Sequence, residues 1–479
     1  MGKVKNNFIY NSFYQVLLLI FPLITVPYIS RVIGPTGVGI HSYTYSIANY
    51  VYLLGMLGVN NYGNRTIAMT RDDKKELSTN FWGIYYFQLI ISLTLASIYF
   101  FFVLLIAKGY LIIYLIQTLV IISAAIDINW LFFGLEEFKL TVIRNSFTKI
   151  LSIVLIFIFV NSKEDLWIYS LIMAGSLVLS QLVIWPFVSK RIYFLNPDWT
   201  SIKQHIRPNI VLFIPVIAIS IYKVMDKIML GSIGNVMQVG FYTNAFRIIS
   251  IPLGFITALG TVMLPRMSNL AAKNNSAESG EVISKSMEFI FFMGSAFMFG
   301  IAGIAPEFTP WFFGTDFVES TNLIVGLSST ILIIGWANVI RTQYLIPYKK
   351  DKIYIISVSC GALFNFIINI TLIPILGAMG AVLGTIVAEL IVCVLQTWSV
   401  RGILNIRQII SKVVPYIFFG LLMYAVIRMI PILIKTNPIL YQILFGAIVY
   451  LLFTFVYLVK FRKGPNILNE LIKSKGIKF

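Results

Sequence analysis

FWGIYYFQLIISLTLASIYFFFVLLI, residues 81–106, contains no charged side chain. At 1.5 Å per residue a helix of this length measures about 39 Å, more than the roughly 30 Å hydrocarbon core of a bilayer. Outward from it in both directions, apolar runs of spanning length recur. They lie near 8–30, 38–62, 81–106, 110–135, 146–162, 166–188, 208–231, 239–264, 286–305, 323–346, 353–374, 379–400, 413–432 and 438–460. In lipid the backbone must satisfy its own hydrogen bonds, so each run is expected to be a helix. The sequence therefore predicts an all-α polytopic membrane protein with about fourteen transmembrane helices. The 479 residues are 58% hydrophobic and 12% charged, and mean hydropathy is +0.87, which excludes a soluble enzyme.

Lysine and arginine number 37 against 19 acids, a formal charge of +18. Such an excess fits nucleic acid, anionic lipid or an anionic substrate, and the distribution decides. Of the 37, 28 fall on alternate connections and the two ends, five on the opposite connections, and Lys223, Lys227, Arg247 and Arg341 within spans. Basic loops stay cytoplasmic, so both termini are expected inside, and topology accounts for most of the charge without nucleic acid. The basic start lacks a small-residue cleavage site and reads as an uncleaved first span. The tail KFRKGPNILNELIKSKGIKF reads as a basic amphipathic helix on anionic membrane lipids. Cys360 and Cys393 both sit in apolar runs, which supports neither a disulfide framework nor a cysteine metal site. The longest outer connection, about 306–322, offers only Glu307, Asp316 and Glu319. That is too little for a membrane glycosyltransferase or polymerase, and no GxxxxGK[ST] phosphate loop is present. No cofactor is called for.

VGIHSYTYSI from Val38 parallels VGFYTNAFRI from Val239. The offset of 201 pairs Gly39 with Gly240 and Arg65 with Arg266. WLFFGLEEFK (130–139) echoes QYLIPYKKDK (343–352) at a slightly different offset. Repeated helical halves are a recurrent plan of secondary transporters, with the substrate site between them. The division expected is 1–200 (helices one to six), 201–402 (seven to twelve) and 403–479 (thirteen, fourteen and the basic tail).

Four segments carry more than composition: PYISRVIGPTGVGIHSYTYSI (27–47), LGMLGVNNYGNRTIA (54–68), WLFFGLEEFK, and YKVMDKIMLGSIGNVMQVGFYTNA (222–245). Together with span count and topology they resemble the polysaccharide repeat-unit flippases of the Wzx type. These form the polysaccharide transporter family of the MOP superfamily, which also holds the MATE transporters and lipid II flippases. The resemblance implies a MATE-like fold of two lobes around a V-shaped cavity. It also implies translocation of an undecaprenyl-diphosphate-linked oligosaccharide from the inner to the outer leaflet of a bacterial plasma membrane, for capsule or O-antigen. A polysaccharide polymerase is the implied protein partner, and no enzymatic step is implied.

A charge at mid-bilayer costs at least about 2.5–3.5 kcal/mol, so intramembrane ionisable residues are functional candidates. Lys223, Asp226 and Lys227 share one face of helix seven and suit a phosphate or acidic sugar, or an ion pair with snorkelling stems. Arg247 lies roughly 10 Å into helix eight, too deep for easy snorkelling. Arg31, ending helix one, is a candidate for the outer mouth. The repeat-related Arg65 and Arg266 are candidates for the inner one, where bidentate geometry suits a diphosphate. Tyr43, Tyr45 and Asn49 offer sugar-stacking faces and polar tips. Asp127, Glu389 and His41 are candidates for coupling to H⁺ or Na⁺. The expected mechanism is alternating access with a cationic cavity. The rival is a cation-coupled multidrug exporter of MATE type, which would favour an acidic one.

Overall fold

The chain opens with a helix, α1 (Gly2–Met56), of 55 residues. That is about 82 Å of helix, more than twice a hydrocarbon core, and it is broken where the sequence requires. Gly34 adopts φ 67, ψ 178 ahead of Pro35, a conformation a side chain resists, and so divides α1 into the first two expected spans. The structure, a computed structural model, describes residues 2–106, 109–273, 275–434 and 437–461. Side chains 2–20, 106, 214–216, 218–219, 221–223, 276 and 461 lie outside that description, and with them the side chain of Lys223. The basic tail beyond 461 lies outside it as well.

The remaining elements are α2 (Val59–Thr70), α3 (Lys74–Ile106), α4 (Leu111–Ala125), α5 (Asn129–Gly134), α6 (Phe138–Phe159), α7 (Leu166–Ile184), α8 (Trp199–Lys203), α9 (Ile206–Ile233) and α10 (Val236–Ala272). They continue as α11 (Ser276–Phe313), α12 (Ser320–Ser328), α13 (Thr330–Ile340), α14 (Asp351–Leu376), α15 (Ala378–Val400), α16 (Ile406–Leu433) and α17 (Pro438–Phe461). Twelve helical stretches among the described residues are long and apolar enough to cross a membrane. One of them, Phe21–Thr70, takes in the end of the first expected span and the whole of the second, and α9 lies over a further one, in keeping with the about fourteen expected. Side chains such as Leu105, 78% exposed, and Leu433, 80% exposed, are at home only against lipid.

Several expected spans are not continuous helices: 38–62 is interrupted at Leu57 and Gly58, which both take positive φ, and two others are broken more deeply. The run 110–135 breaks at 126–128 into α4 and α5. Asp127 repairs the break: its Oδ1 accepts the Asn129 backbone N–H at 2.9 Å, and its Oδ2 accepts the Tyr52 hydroxyl at 3.0 Å. The run 323–346 is assembled from α12, α13 and a π-helical segment, Arg341–Leu345. Gln88 stitches the first break from outside, donating to the carbonyls of Ala124 and Asp127 at 2.6 and 2.7 Å. Around it Phe81, Trp82, Tyr85 and Trp130 build an aromatic core.

The repeat is visible as geometry. A Cβ on Gly39 would stand 1.9 Å from the Val236 carbonyl oxygen, and one on Gly240 would stand 2.1 Å from that of Pro35. The offset of 201 turns one contact into the other, so the two helix starts cross in a reciprocal pair that only glycines permit. The second echo also returns. Glu136 and Lys349, matched in WLFFGLEEFK and QYLIPYKKDK, both take positive φ, 58° and 54°. The residue after each donates its N–H five residues back, Glu137 to Phe132 and Lys350 to Leu345, both at 2.8 Å.

By compactness the chain forms two units. The first is Met1–Ile251 with Thr309–Leu327 and Asp351–Leu395; the second is Pro252–Phe308 with Ser328–Lys350 and Gln396–Phe479. In the second, α16 and α17 are fastened to α11: Arg428 pairs with Glu307 at 2.8 Å, Gln442 donates to Glu307 at 3.0 Å, and Tyr416 donates to Glu288 at 2.9 Å.

Candidate functional site

Three cations come together at membrane depth. Lys149 is eleven residues into α6 and Arg247 eleven into α10, each roughly 16 Å from its helix start at 1.5 Å per residue. Lys227 lies in α9, six residues before that helix ends. Arg247 exerts its charge on Lys149, on Lys227, on His41 and on Tyr169 of α7. One of its nitrogens, Nη1, donates to Asn244 Oδ1 at 3.1 Å, and Asn244 Nδ2 donates to Ser30 Oγ at 2.8 Å. The helix carrying Arg247 starts at Val236, three residues before the expected 239, which places the guanidinium deeper than the sequence suggested. Like charges held in a low dielectric repel and are poorly solvated. The arrangement is suited to an anion.

The acid beside these cations is already occupied. Asp226, buried, accepts from Tyr242 at 2.6 Å and Thr385 at 2.8 Å on Oδ2, and from Asn369 at 2.7 Å on Oδ1. The carboxylate thus joins α9 to α10, α14 and α15, and its charge is spread over three donors. Among the candidates for ion coupling, Asp127 closes the α4–α5 break, and Glu389 is buried in α15. His41 is 6% exposed, faces Ser170 Oγ at 3.0 Å, and lies with its ring 6.0 Å from Tyr45 and 4.7 Å from Tyr169. His41 is thus enclosed by Ser170, Tyr45 and Tyr169.

The other candidates separate. Tyr45 is 37% exposed beside His41, and Asn49, one helical turn on, is half-buried. Tyr43 bonds Ser232 Oγ at 3.0 Å and packs on Gly231, where a Cβ would meet its ring at 2.2 Å. Its ring is a packing surface between α1 and α9. Arg31 donates to the Trp311 carbonyl near the end of α11. Arg65 lies over the Tyr62 ring at 5.8 Å and is exposed. In the second unit Arg266 faces Glu278 at 3.5 Å.

Sequence reasoning missed Lys149 and Arg144, which it assigned to a cytoplasmic connection. The helix begins at Phe138, so both are inside it. Arg144 is 4% exposed and donates to Asn129 Oδ1 at 2.7 Å and Asn145 Oδ1 at 2.6 Å. The available signal was the polar spacing of Thr141, Arg144, Thr148 and Ser152, one face of a helix, all of them buried. Also outside the sequence reading is His205, at the start of α9. It lies 2.8 Å from the Tyr62 hydroxyl through Nδ1 and has no partner among the described residues for Nε2. Burial pushes its pKa down to about 4.

Residues 4–271 match the family described as polysaccharide biosynthesis protein. A protein of Escherichia coli (strain K12) described as an O-antigen transporter is 23% identical over 410 residues, 84% of this chain and 97% of that one. Among solved structures, the lipid II flippase MurJ in an inward closed conformation has a TM-score of 0.72 at 19% identity, covering 94% of this chain and 98% of that chain. An outward-facing multidrug resistance MATE family transporter of the MOP superfamily has a TM-score of 0.51 at 13% identity, covering 86% and 95%. The fold is the one these transporters share.

Proposed function

We propose, for a chain that belongs to the polysaccharide biosynthesis protein family, that it is a flippase moving an undecaprenyl-diphosphate-linked oligosaccharide from the inner to the outer leaflet of a bacterial plasma membrane. The product would serve O-antigen or capsule assembly, with a polysaccharide polymerase downstream. The observation that carries the reading is the group Lys149, Lys227 and Arg247 at membrane depth, in which the charge of Arg247 acts on both lysines, while Asp226 is held by Tyr242, Thr385 and Asn369. Such a surface attracts the diphosphate by charge and leaves the polyprenyl chain in lipid. Tyr45 and Asn49 on the same helix as His41 suit the first sugars.

No bond is made or broken. The work is transfer of an anionic headgroup across the hydrocarbon layer, between repeat-related halves whose helix starts meet at Gly39 and Gly240. With the interior negative, moving each negative charge outward is favoured by about 2.3 kcal/mol per 100 mV. A diphosphate therefore has a driving force without a coupling ion; H⁺ or Na⁺ coupling through Glu389 is the supplementary proposal. Both termini are expected on the cytoplasmic side.

The test is translocation in proteoliposomes. A fluorescent undecaprenyl-diphosphate oligosaccharide should change leaflets with wild-type protein and much more slowly with Arg247→Ala or Lys149→Ala. Proton-driven efflux of a cationic dye with no movement of the glycolipid would transfer the assignment to drug export.

A further inference from the structure

Arg247 is tied to α1 through one fully buried amide. Asn244 stands three residues before it, on the same face of α10, with no exposed surface. Its Oδ1 accepts Arg247 Nη1 at 3.1 Å, and its Nδ2 donates to Ser30 Oγ at 2.8 Å. A guanidinium only donates, a hydroxyl donates or accepts, and an amide has one end of each kind. Arg247 therefore decides which way round the amide lies, and Ser30, itself buried, anchors it from the other side.

The offset of 201 carries Ser30 to Gly231 and takes Asn244 back to Tyr43, so the repeat-related contact is Tyr43 against Gly231. There the Tyr43 ring packs where a Cβ would stand 2.2 Å away, with its hydroxyl on Ser232 at 3.0 Å. Arg247 is taken back to Ser46, which donates to the Ser42 carbonyl of its own helix at 2.7 Å. The half without a cation thus joins its two helices by a packed ring. The half with one uses an amide, a group whose burial is unfavourable unless both its ends are hydrogen-bonded. What the amide adds at this position is an acceptor for the guanidinium. An arginine held in this way before its ligand arrives loses less freedom on binding, and Nη1 is only one of its three nitrogens.

We infer that Asn244 is the positioning residue of Arg247, holding the guanidinium against Ser30 of α1 so that its remaining donors meet the anionic group of the transported lipid. The inference rests on the flippase reading and adds to it a residue that touches no substrate. It also gives the asymmetry between the repeat-related contacts a reason.

The test uses the full chain in proteoliposomes and measures initial rates of leaflet transfer over a range of concentrations of a fluorescent undecaprenyl-diphosphate oligosaccharide. Binding of undecaprenyl diphosphate to the same proteins in nanodiscs is measured alongside. Asn244→Ala should raise the apparent KM about tenfold, the effect of losing one hydrogen bond to a charged group, and change the maximal rate less. In an Arg247→Ala background the same substitution should change KM less than about twofold, because residues that act through one another are not additive. Asn244→Asp keeps an acceptor for both partners but sets a carboxylate against the guanidinium, where it competes with the diphosphate. It should fold and still bind undecaprenyl diphosphate at least about tenfold more weakly. Ser30→Ala should shift KM in the same direction by less. Wild-type KM and binding in a folded Asn244→Ala or Asn244→Asp protein would overturn the inference. So would an equal loss with and without Arg247, which is what joining α10 to α1 alone would produce. If wild type moves the glycolipid and either of these results is found, the inference alone falls; if wild type neither binds nor moves it, the flippase reading falls and the inference with it.

Discussion

Arg247 gathers the site: its charge reaches Lys149, Lys227, His41 and Tyr169, and it donates a hydrogen bond to Asn244. Removing one member of a desolvated charge pair costs about 2–5 kcal/mol, so Arg247→Ala should slow glycolipid translocation at least about thirtyfold. Arg247→Lys keeps the charge but not the fork and should recover part of the rate. His205 supplies a second prediction, on stability. Its folded pKa of about 4 lies below the ordinary 6.5, so the unfolded chain takes up a proton first as pH falls. His205 therefore contributes fully above pH 6.5, and stability should decline between about 6.5 and 4. Melting temperatures across that window should fall for wild type and flatten for His205→Gln; equal slopes would contradict the assignment. At this scale depth was legible for Arg247 and Lys227, which interrupt long apolar runs. Lys149 and Arg144 were not, because a basic residue near the end of a run reads as a cytoplasmic anchor until the helix start is known.

The elements that matter most are the ones that break. Asp127 sits where the run 110–135 stops being a helix and accepts the Asn129 N–H and the Tyr52 hydroxyl. Loss of a carboxylate that caps a helix start costs about 1 kcal/mol. Asp127→Ala should therefore lower the melting temperature, whereas Asp127→Asn, which keeps an acceptor, should leave transport largely intact. Loss of transport in a stable Asp127→Asn protein would return this residue to proton coupling. The break left a mark in the sequence, Asp127 inside the run 110–135, but an acid there read as a coupling candidate, and only the backbone geometry of 126–128 shows it to be a repair. The crossing of α1 and α10 was more legible. Gly39 and Gly240 are paired by the repeat, and their mutual approach leaves no room for a Cβ. Valine at either position should destabilise the fold by at least about 1–3 kcal/mol, the usual range for overpacking, which thermal or denaturant unfolding in detergent would show. An unchanged midpoint would mean that the crossing yields freely.

At the scale of the molecule, fourteen spans were readable because a bilayer sets one length for all of them and the backbone leaves no alternative to helix. The repeat was readable because its glycines and its turn at Glu136 and Lys349 are held by backbone geometry, which tolerates few substitutes. The composition of the two compact units was not readable. Helices distant in sequence, α9, α14 and α15, join the first half through the Asp226 hydrogen bonds and their neighbours, and no local pattern announces such partners. Transport of an anion by this chain should follow the membrane potential. The decisive measurement is the initial rate of leaflet transfer of an undecaprenyl-diphosphate oligosaccharide in proteoliposomes under imposed potentials, with a cationic dye in parallel. Outward transfer should rise as the interior is made more negative, depend on Lys149 and Arg247, and have no counterpart for the dye. Dye efflux driven by an ion gradient, with the glycolipid immobile at every potential, would contradict it.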